Sequence, residues 1–137
     1  MNNKYDKTYI EIAETFSKLS TAKKKKVGAI IVKDNTIISD GYNGTPSGYC
    51  NECEDSDGNT YWYVLHAEAN AITKIAKSTQ NCKDATLYIT MSPCKECSKL
   101  IIQSGIKRVV YKEKYKDLSG INFLGNFNIE CVNINGK

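Results

Sequence analysis

Residues 66–97 read HAEANAITKIAKSTQNCKDATLYITMSPCKEC. The apolar residues within 67–77 recur at helical spacing, whereas the β-branched and aromatic residues of Thr86–Met91 favour a strand. A second helix is expected over 94–103, with Gly105 as its end. Helix, strand and helix in this order are typical of a layered α/β fold.

The same alternation continues on both sides of this segment. Apolar residues at spacings of three and four predict a helix over 5–19, with Tyr5, Tyr9, Ile12, Phe16 and Leu19 on its buried face. Strands are expected at 27–33, 36–40, 107–111 and 128–132, with a hairpin turn at 33–35 and a loop at 41–58. We therefore predict one domain over 1–137, with a mixed sheet of about five strands and helices on both faces.

Composition limits the class of protein. Hydrophobic residues make up 41% of the chain and charged residues 25%, as in ordinary globular domains. No apolar run approaches the ~20 residues of a membrane span, and the acids near the N-terminus argue against a signal peptide. Six cysteines, four of them in two C-x-x-C pairs, then indicate metal or redox chemistry in a reducing compartment. We expect a cytoplasmic protein, or one of the host cytoplasm if the source is viral, with no membrane partner.

The charge balance indicates a modest affinity for phosphate. The net charge is +4, and Arg108 is the only arginine among the 19 basic residues. Bidentate guanidinium–phosphate contacts must therefore be scarce, and phosphate binding would depend on lysines and backbone amides. This balance suits a phosphate-bearing small molecule and does not require a nucleic acid partner.

The second helix start has the features of a metal site. Cys94 and Cys97 are three residues apart, so their sulfur atoms lie on one helix face and can share a metal ion. We expect Ser92 to cap this helix and Pro93 to occupy its first position. A helix N-terminus also favours thiolates, and His66 can supply a nitrogen ligand. Three protein ligands leave one zinc position open, which is typical of catalytic zinc.

Glu68 is placed to work beside that open position. It follows His66 by two residues, and 24 residues separate it from Pro93. A carboxylate there could take and release protons without binding the metal.

The pattern H-x-E followed by P-C-x-x-C is the signature of zinc deaminases. The chain resembles the zinc-dependent cytidine and deoxycytidylate deaminase superfamily, and the segment Gly41-Tyr42-Asn43-Gly44 resembles its deoxycytidylate (dCMP) deaminase branch. The resemblance covers residues 9–115 and implies a three-layer α/β/α cytidine-deaminase-like fold. It also implies a hydrolase of pyrimidine deoxynucleotide synthesis that converts dCMP to dUMP and ammonia.

Several site residues follow from the resemblance. His66, Cys94 and Cys97 would bind the catalytic Zn²⁺, and Glu68 would carry protons to ring N3 and to the leaving amine. Tyr115 would stack on the substrate base, and Asn43 would lie near the sugar. Ala67 completes the expected substrate contacts.

The resemblance also implies regulation. Family members are typically homo-hexamers activated by dCTP and inhibited by dTTP, with Mg²⁺ bound to the effector triphosphate. The expected effector residues are Ile38, Ser39, Asp40, Gly41, Tyr42, Asn43 and Gly44 for the nucleotide, and Lys23, Lys24 and Lys26 for its phosphates. The lysine run has an alternative interpretation as a solvated turn.

Cys50 and Cys53 have no clear partners. Some family members hold a second, structural zinc in this region, but the only histidine of the chain is already used. A second site would need Cys82, Cys131, or the acids Glu52 and Asp55, and we do not expect one.

Two other classes of function remain open at this stage: a deaminase with another substrate, and a binding module without chemistry. A deaminase of cytidine or deoxycytidine would lack a reason for the GYNG segment, and a deaminase of cytosine or adenine in a polynucleotide would be expected to have a more basic, aromatic groove. A non-catalytic zinc-stabilised binding module would normally close the metal site with four protein ligands.

Overall fold

A mixed sheet with helices on both faces forms the framework. The structure, a computed structural model, describes residues 4–136, and this part of the chain has five strands and four helices. In chain order they are α1 Lys4–Ser17, β1 Gly28–Lys33, β2 Thr36–Tyr42, α2 Ala67–Ile75, β3 Thr86–Met91, α3 Lys95–Ser104, β4 Arg108–Glu113, α4 Ser119–Gly125 and β5 Glu130–Asn133. The predicted fold class is confirmed.

The strand order is β2-β1-β3-β4-β5. Strand β1 pairs antiparallel with β2 and with β3, and β3, β4 and β5 run parallel. The hairpin between β1 and β2 turns at Asp34 and Asn35, whose φ values of 51° and 60° match the two left-handed positions of a type I′ turn. This confirms the predicted hairpin.

Side chains of the sheet alternate between two apolar layers. Ile30, Val32, Tyr88 and Val110 pack with Ile10 of α1 on one face. On the opposite face, Ala29, Ile31, Leu87, Ile89 and Val109 of the sheet pack in one core with Ala71 of α2, Ile101 of α3 and Leu124 of α4. Burial on both faces explains why the central strands read as continuous apolar runs.

The predicted buried face of α1 is wrong at its ends. Tyr5 is 50% exposed and Leu19 is 58% exposed. The buried positions are instead Asp6, Ile10 and Ala13, which lie on a neighbouring stripe of the helix. The helix is rotated because Asp6 enters the interior to meet a charged partner, which no apolar pattern indicates.

That partner is Arg108. Its Nη1 and Nη2 donate to Asp6 Oδ1 and Oδ2 at 2.9 and 2.7 Å, and the Tyr88 hydroxyl donates to Oδ1 at 2.6 Å. Arg108 Nε also donates to Glu130 at 3.1 Å. The only arginine of the chain thus joins α1 to the sheet.

Every predicted element except Thr86–Met91 differs from the structure by one or two residues at its ends, and the differences at β2 and α3 bear on the site. Strand β2 extends to Tyr42, because Gly41 and Tyr42 pair with Ala29 and Gly28 of β1, so the expected loop begins too early. Helix α3 begins at Lys95, after Cys94. Helix α4 lies between the strands predicted at 107–111 and 128–132, where no helix was predicted. Within 4–136, none of the helices has the length and apolar character needed to cross a membrane.

Candidate active site

The start of α2 brings His66 and Glu68 to the edge of the sheet. His66 precedes the helix in extended conformation, and its carbonyl accepts from Asn70 N at 3.0 Å. Strand β2 lies against the first turn of α2 at Gly41, where a β-carbon would stand 2.5 Å from the Ala67 carbonyl oxygen. Only glycine permits this approach of helix and strand.

The loop between β3 and α3 presents the two cysteines. Cys94 is the N-cap residue, and its carbonyl accepts from Ser98 N and Oγ at 3.0 and 2.9 Å. The predicted capping role of Ser92 is wrong, because its hydroxyl accepts from Tyr115 N at 2.8 Å, and its own N–H donates to the Glu113 carbonyl at 2.9 Å. Ser92 therefore connects the loop of residues 92–94, which we call the metal loop, to the end of β4 and the segment after it.

The geometry of His66, Cys94 and Cys97 fits a zinc ion. His66 Nδ1 lies 3.6 Å from Cys94 Sγ and 3.3 Å from Cys97 Sγ. Nitrogen and sulfur ligands of a tetrahedral zinc, with bonds of about 2.0 and 2.3 Å, stand roughly 3.6 Å apart. Among residues 4–136 this is the only cluster of three or more such ligands that lie close enough to share an ion.

His66, Cys94 and Cys97 shift one another's pKa values in the protein without metal. Hydrogen bonds from Cys97 and His66 lower the pKa of the Cys94 thiol to about 3. The same contacts raise the pKa of Cys97 and of His66, chiefly through the hydrogen bond that each makes with Cys94. Zinc binding would release the remaining protons, because the metal takes thiolates and neutral imidazole.

Glu68 is enclosed beside this cluster. Its side chain is 3% exposed, and burial raises its pKa to about 7, although its own backbone amide and His66 act in the opposite direction. A carboxyl group in this range can both accept and release a proton near neutral pH.

A cavity of about 400 Å³, which we call the zinc cavity, opens next to the cluster of His66, Cys94 and Cys97. The three predicted substrate residues Asn43, Ala67 and Tyr115 all line it, together with His66, Glu68 and Cys94. Sequence reasoning missed Lys25, Glu54 and Lys116 as lining residues. For Lys116, its position next to Tyr115 was an available signal, whereas Glu54 lies in a polar loop without any pattern.

Asn43 holds the chain on one side of this cavity. Its Oδ1 accepts from Val27 N and its Nδ2 donates to the Lys25 carbonyl, both at 2.8 Å. Its backbone carbonyl accepts from the Ser20 hydroxyl at 2.7 Å. These bonds fix the segment before β1 against the end of β2.

The remaining residues of the GYNG segment face a second cavity. Gly41, Tyr42 and Gly44 line a space of about 540 Å³ on the other side of β2 and α2. Among the predicted effector residues, Ile38, Ser39 and Asp40 lie outside its lining. Asp40 pairs with Lys74 at 2.5 Å, and the Ser39 hydroxyl donates to the Ala71 carbonyl at 2.7 Å.

The structure separates the predicted phosphate lysines from this second cavity. Lys24 lines the zinc cavity, whereas Lys74 and Lys77 are the lysines that line the second one. Lys23 and Lys26 line neither cavity, and their side chains are exposed.

Cys50 and Cys53 differ in their surroundings. Cys50 is exposed, whereas Cys53 is 1% exposed and lies 3.5 Å from the Thr21 hydroxyl. Within the described residues, neither belongs to a cluster of three or more potential metal ligands close enough to share an ion.

The fold and the His-Cys-Cys site define a zinc-binding deaminase. The model of the family described as the cytidine and deoxycytidylate deaminase zinc-binding region matches residues 3–113. The chain therefore belongs to this family.

Within the family, the chain is similar to deoxycytidylate deaminases. It is 39% identical to a probable deoxycytidylate deaminase of Caenorhabditis elegans, over 81% of this chain and 58% of that protein. It is 35% identical to the deoxycytidylate deaminase of Enterobacteria phage T4, over 95% and 90%. The structure of the dCMP deaminase from cyanophage S-TIM5, in complex with dCMP and dUMP, matches with a TM-score of 0.94 and 44% identity, over 98% and 99%.

Proposed function

We propose that this protein catalyses the hydrolytic deamination of dCMP to dUMP and ammonia. The observation that carries the proposal is the juxtaposition of His66, Cys94 and Cys97 with buried Glu68 in one cavity. The similarity to a deaminase structure that holds dCMP and dUMP supports the choice of substrate.

Glu68 moves the protons in this reaction. His66, Cys94 and Cys97 would hold a zinc ion, which would lower the pKa of a bound water molecule to ~7. The Glu68 carboxylate accepts a proton from the attacking water molecule and delivers it to ring N3, while the water oxygen bonds to C4 of the base. Glu68 then takes the second proton from the new C4 hydroxyl and passes it to the exocyclic amine. The C4–N bond breaks as the C4 carbonyl forms, so ammonia leaves and a uracil ring remains. Proton transfer by a positioned carboxylate contributes typically 10²–10⁴-fold.

The walls of the cavity hold the nucleotide. Tyr115 stacks on the base, and Asn43 faces the sugar with its second amide hydrogen and its second oxygen lone pair. Lys24, Lys25 and Lys116 are the basic side chains that line the cavity. Lys25 pairs with Glu113 at 2.8 Å, so Lys24 and Lys116 bind the 5′-phosphate. Arg108 is unsuited to this role because Asp6 already engages its guanidinium.

The second cavity is the proposed effector site. We expect dCTP to activate and dTTP to inhibit, each with Mg²⁺, through Gly41, Tyr42 and Gly44. Lys74 and Lys77 are the cations that line this cavity, so they replace Lys23, Lys24 and Lys26 as candidates for the triphosphate. A homo-hexamer and a cytoplasmic location complete the proposal, and the six free thiols favour a reducing compartment.

Ultraviolet-monitored deamination by zinc-loaded protein tests the proposal. The substrates are dCMP, CMP, deoxycytidine and cytidine, each with and without dCTP–Mg²⁺ or dTTP–Mg²⁺. We expect turnover of dCMP, increased by dCTP and decreased by dTTP. Turnover of nucleosides in preference to dCMP would contradict the phosphate assignment, and turnover that ignores both triphosphates would contradict the effector site.

A further inference from the structure

Glu54 makes an unusual contact at the mouth of the zinc cavity. Its Oε2 accepts hydrogen bonds from Lys23 N at 3.0 Å and from Lys24 N at 3.3 Å. Glu54 and Lys24 both line the cavity that is proposed to bind a nucleoside monophosphate. An acid at this place would repel a phosphate, so its presence calls for another role.

The loop that carries Glu54 is internally braced. Asp55 N donates to the Asn59 carbonyl at 2.9 Å, and Asp55 Oδ1 accepts from Asp57 N and Asn59 N at 2.9 and 3.0 Å. Tyr61 N donates to the Cys53 carbonyl at 2.8 Å. Glu54 therefore projects from a fixed support, with buried Cys53 before it and a closed turn after it.

The segment it contacts needs such a support. Residues 23–26 are four consecutive lysines, which repel one another and favour an extended, solvated chain. Asn43 fixes one end of the segment through Lys25 O and Val27 N. Glu54 fixes the other end through two backbone amides. Lys24 Cε then lies beside the same loop, 3.8 Å from where a β-carbon of residue 58 would stand.

We propose that Glu54 is a positioning residue that sets the preference for a nucleoside monophosphate over the nucleoside, by holding the Lys23–Lys24 backbone so that Lys24 reaches the phosphate. The inference rests on the proposed function. Glu54 touches neither the reacting ring nor the metal in this arrangement, so its loss acts on phosphate binding and leaves the chemical step intact.

Steady-state kinetics with two Glu54 variants separate this role from a direct one. Glu54→Ala removes both acceptors, and we expect KM for dCMP to rise about tenfold or more, with kcat within about twofold of the wild type. Glu54→Gln keeps an oxygen acceptor and removes the negative charge, so its KM should equal the wild-type value or fall below it. Glu52→Ala, which removes an exposed acid from the same loop, is the matched control and should behave as the wild type.

Calorimetric binding of dUMP and deoxyuridine provides the second readout. We expect Glu54→Ala to weaken dUMP about tenfold and to leave deoxyuridine unchanged, with zinc content equal to that of the wild type. Equal weakening of both ligands would overturn the inference, because it would mean that Glu54 contacts the nucleoside. The inference would also be overturned if the wild type binds dUMP more tightly than deoxyuridine and Glu54→Ala keeps the same ratio of affinities. A wild-type protein without preference for dUMP would instead reject the proposed function.

Discussion

Gly120 lies directly against the carbonyl group of Pro93. A β-carbon at position 120 would stand 2.4 Å from Pro93 O and 2.8 Å from Cys94 O, far inside van der Waals contact. Helix α4 therefore covers the metal loop, and Leu124 of the same helix is fully buried in the adjoining core. The position of Cys94 depends on an element that carries no chemistry itself.

Gly120→Ala should disturb the metal site without changing any ligand. The added methyl group must push α4 and the Pro93–Cys94 turn apart, and overpacking of this kind costs typically 1–3 kcal/mol. We expect a lower melting temperature and faster zinc loss to a chelator, measured with a chromogenic zinc indicator. Gly125→Ala is the matched control, because a β-carbon there meets nothing within 4 Å. Equal zinc release by both variants would contradict the prediction.

Glu68→Gln should separate metal binding from turnover. The carboxamide fills the same space but cannot accept a proton, so we expect stoichiometric zinc and a loss of kcat of about 10²–10⁴-fold. Glu96→Gln removes an exposed acid from the zinc-site helix, where it pairs with Lys99, and should retain wild-type activity. Zinc analysis and dCMP turnover on the same samples are the measurements. Near-normal turnover by Glu68→Gln would remove the residue from its proposed role.

Thiol labelling should follow exposure and pKa in the zinc-loaded protein. Cys50 is exposed, whereas burial raises the pKa of Cys131 to about 11 and also raises the pKa of Cys82. A thiol with a pKa near 11 is roughly one part in a thousand thiolate at pH 8, and only the thiolate reacts. We expect iodoacetamide to modify Cys50 first, as measured by mass spectrometry.

The pH dependence of labelling provides a further check. As long as the pH is below the pKa of Cys131, each increase of one pH unit should raise its labelling rate about tenfold, because the thiolate fraction increases by that factor. Rapid, pH-independent labelling of Cys131 at pH 8 would contradict the burial of this thiol.

Local chemistry was sufficient to predict part of the molecule. The bounds of Thr86–Met91 agree with the prediction, and the hairpin turns at the Asp34-Asn35 pair, because strand propensity and turn residues act over a few positions. The approach of His66, Cys94 and Cys97 to one another could also be predicted, since a His, a Cys-x-x-Cys pair and a nearby acid have few alternative uses.

Contacts between distant segments could not be predicted in the same way. Helix α4 is short and contains two glycines, Gly120 and Gly125, which favour helix only weakly. Its formation therefore depends on packing over Pro93 and Cys94. The placement of Lys24 and Lys25 likewise depends on hydrogen bonds to Glu54 and Asn43, which lie 30 and 18 positions away from them. The spacing of apolar residues along the chain does not indicate such contacts between distant residues.

Arg108 provides the sharpest test of how this chain uses its basic residues. A single arginine in a phosphate-binding protein would ordinarily be assigned to the phosphate, because its planar fork matches that group. Here its fork is matched to Asp6, which is fully buried, on the sheet face that packs against α1. Removing one member of a buried ion pair leaves an uncompensated charge, which costs about 3–5 kcal/mol.

We therefore expect Arg108→Met to lower the free energy of unfolding by about 3–5 kcal/mol in urea titrations, with KM for dCMP within twofold of the wild type at a temperature where the variant is folded. The paired variant Asp6→Leu with Arg108→Met should recover part of the loss, because no charge then remains unpaired in the interior. A stable Arg108→Met protein with a greatly increased KM would mean the opposite assignment, in which the arginine serves the nucleotide and the lysines of the zinc cavity do not.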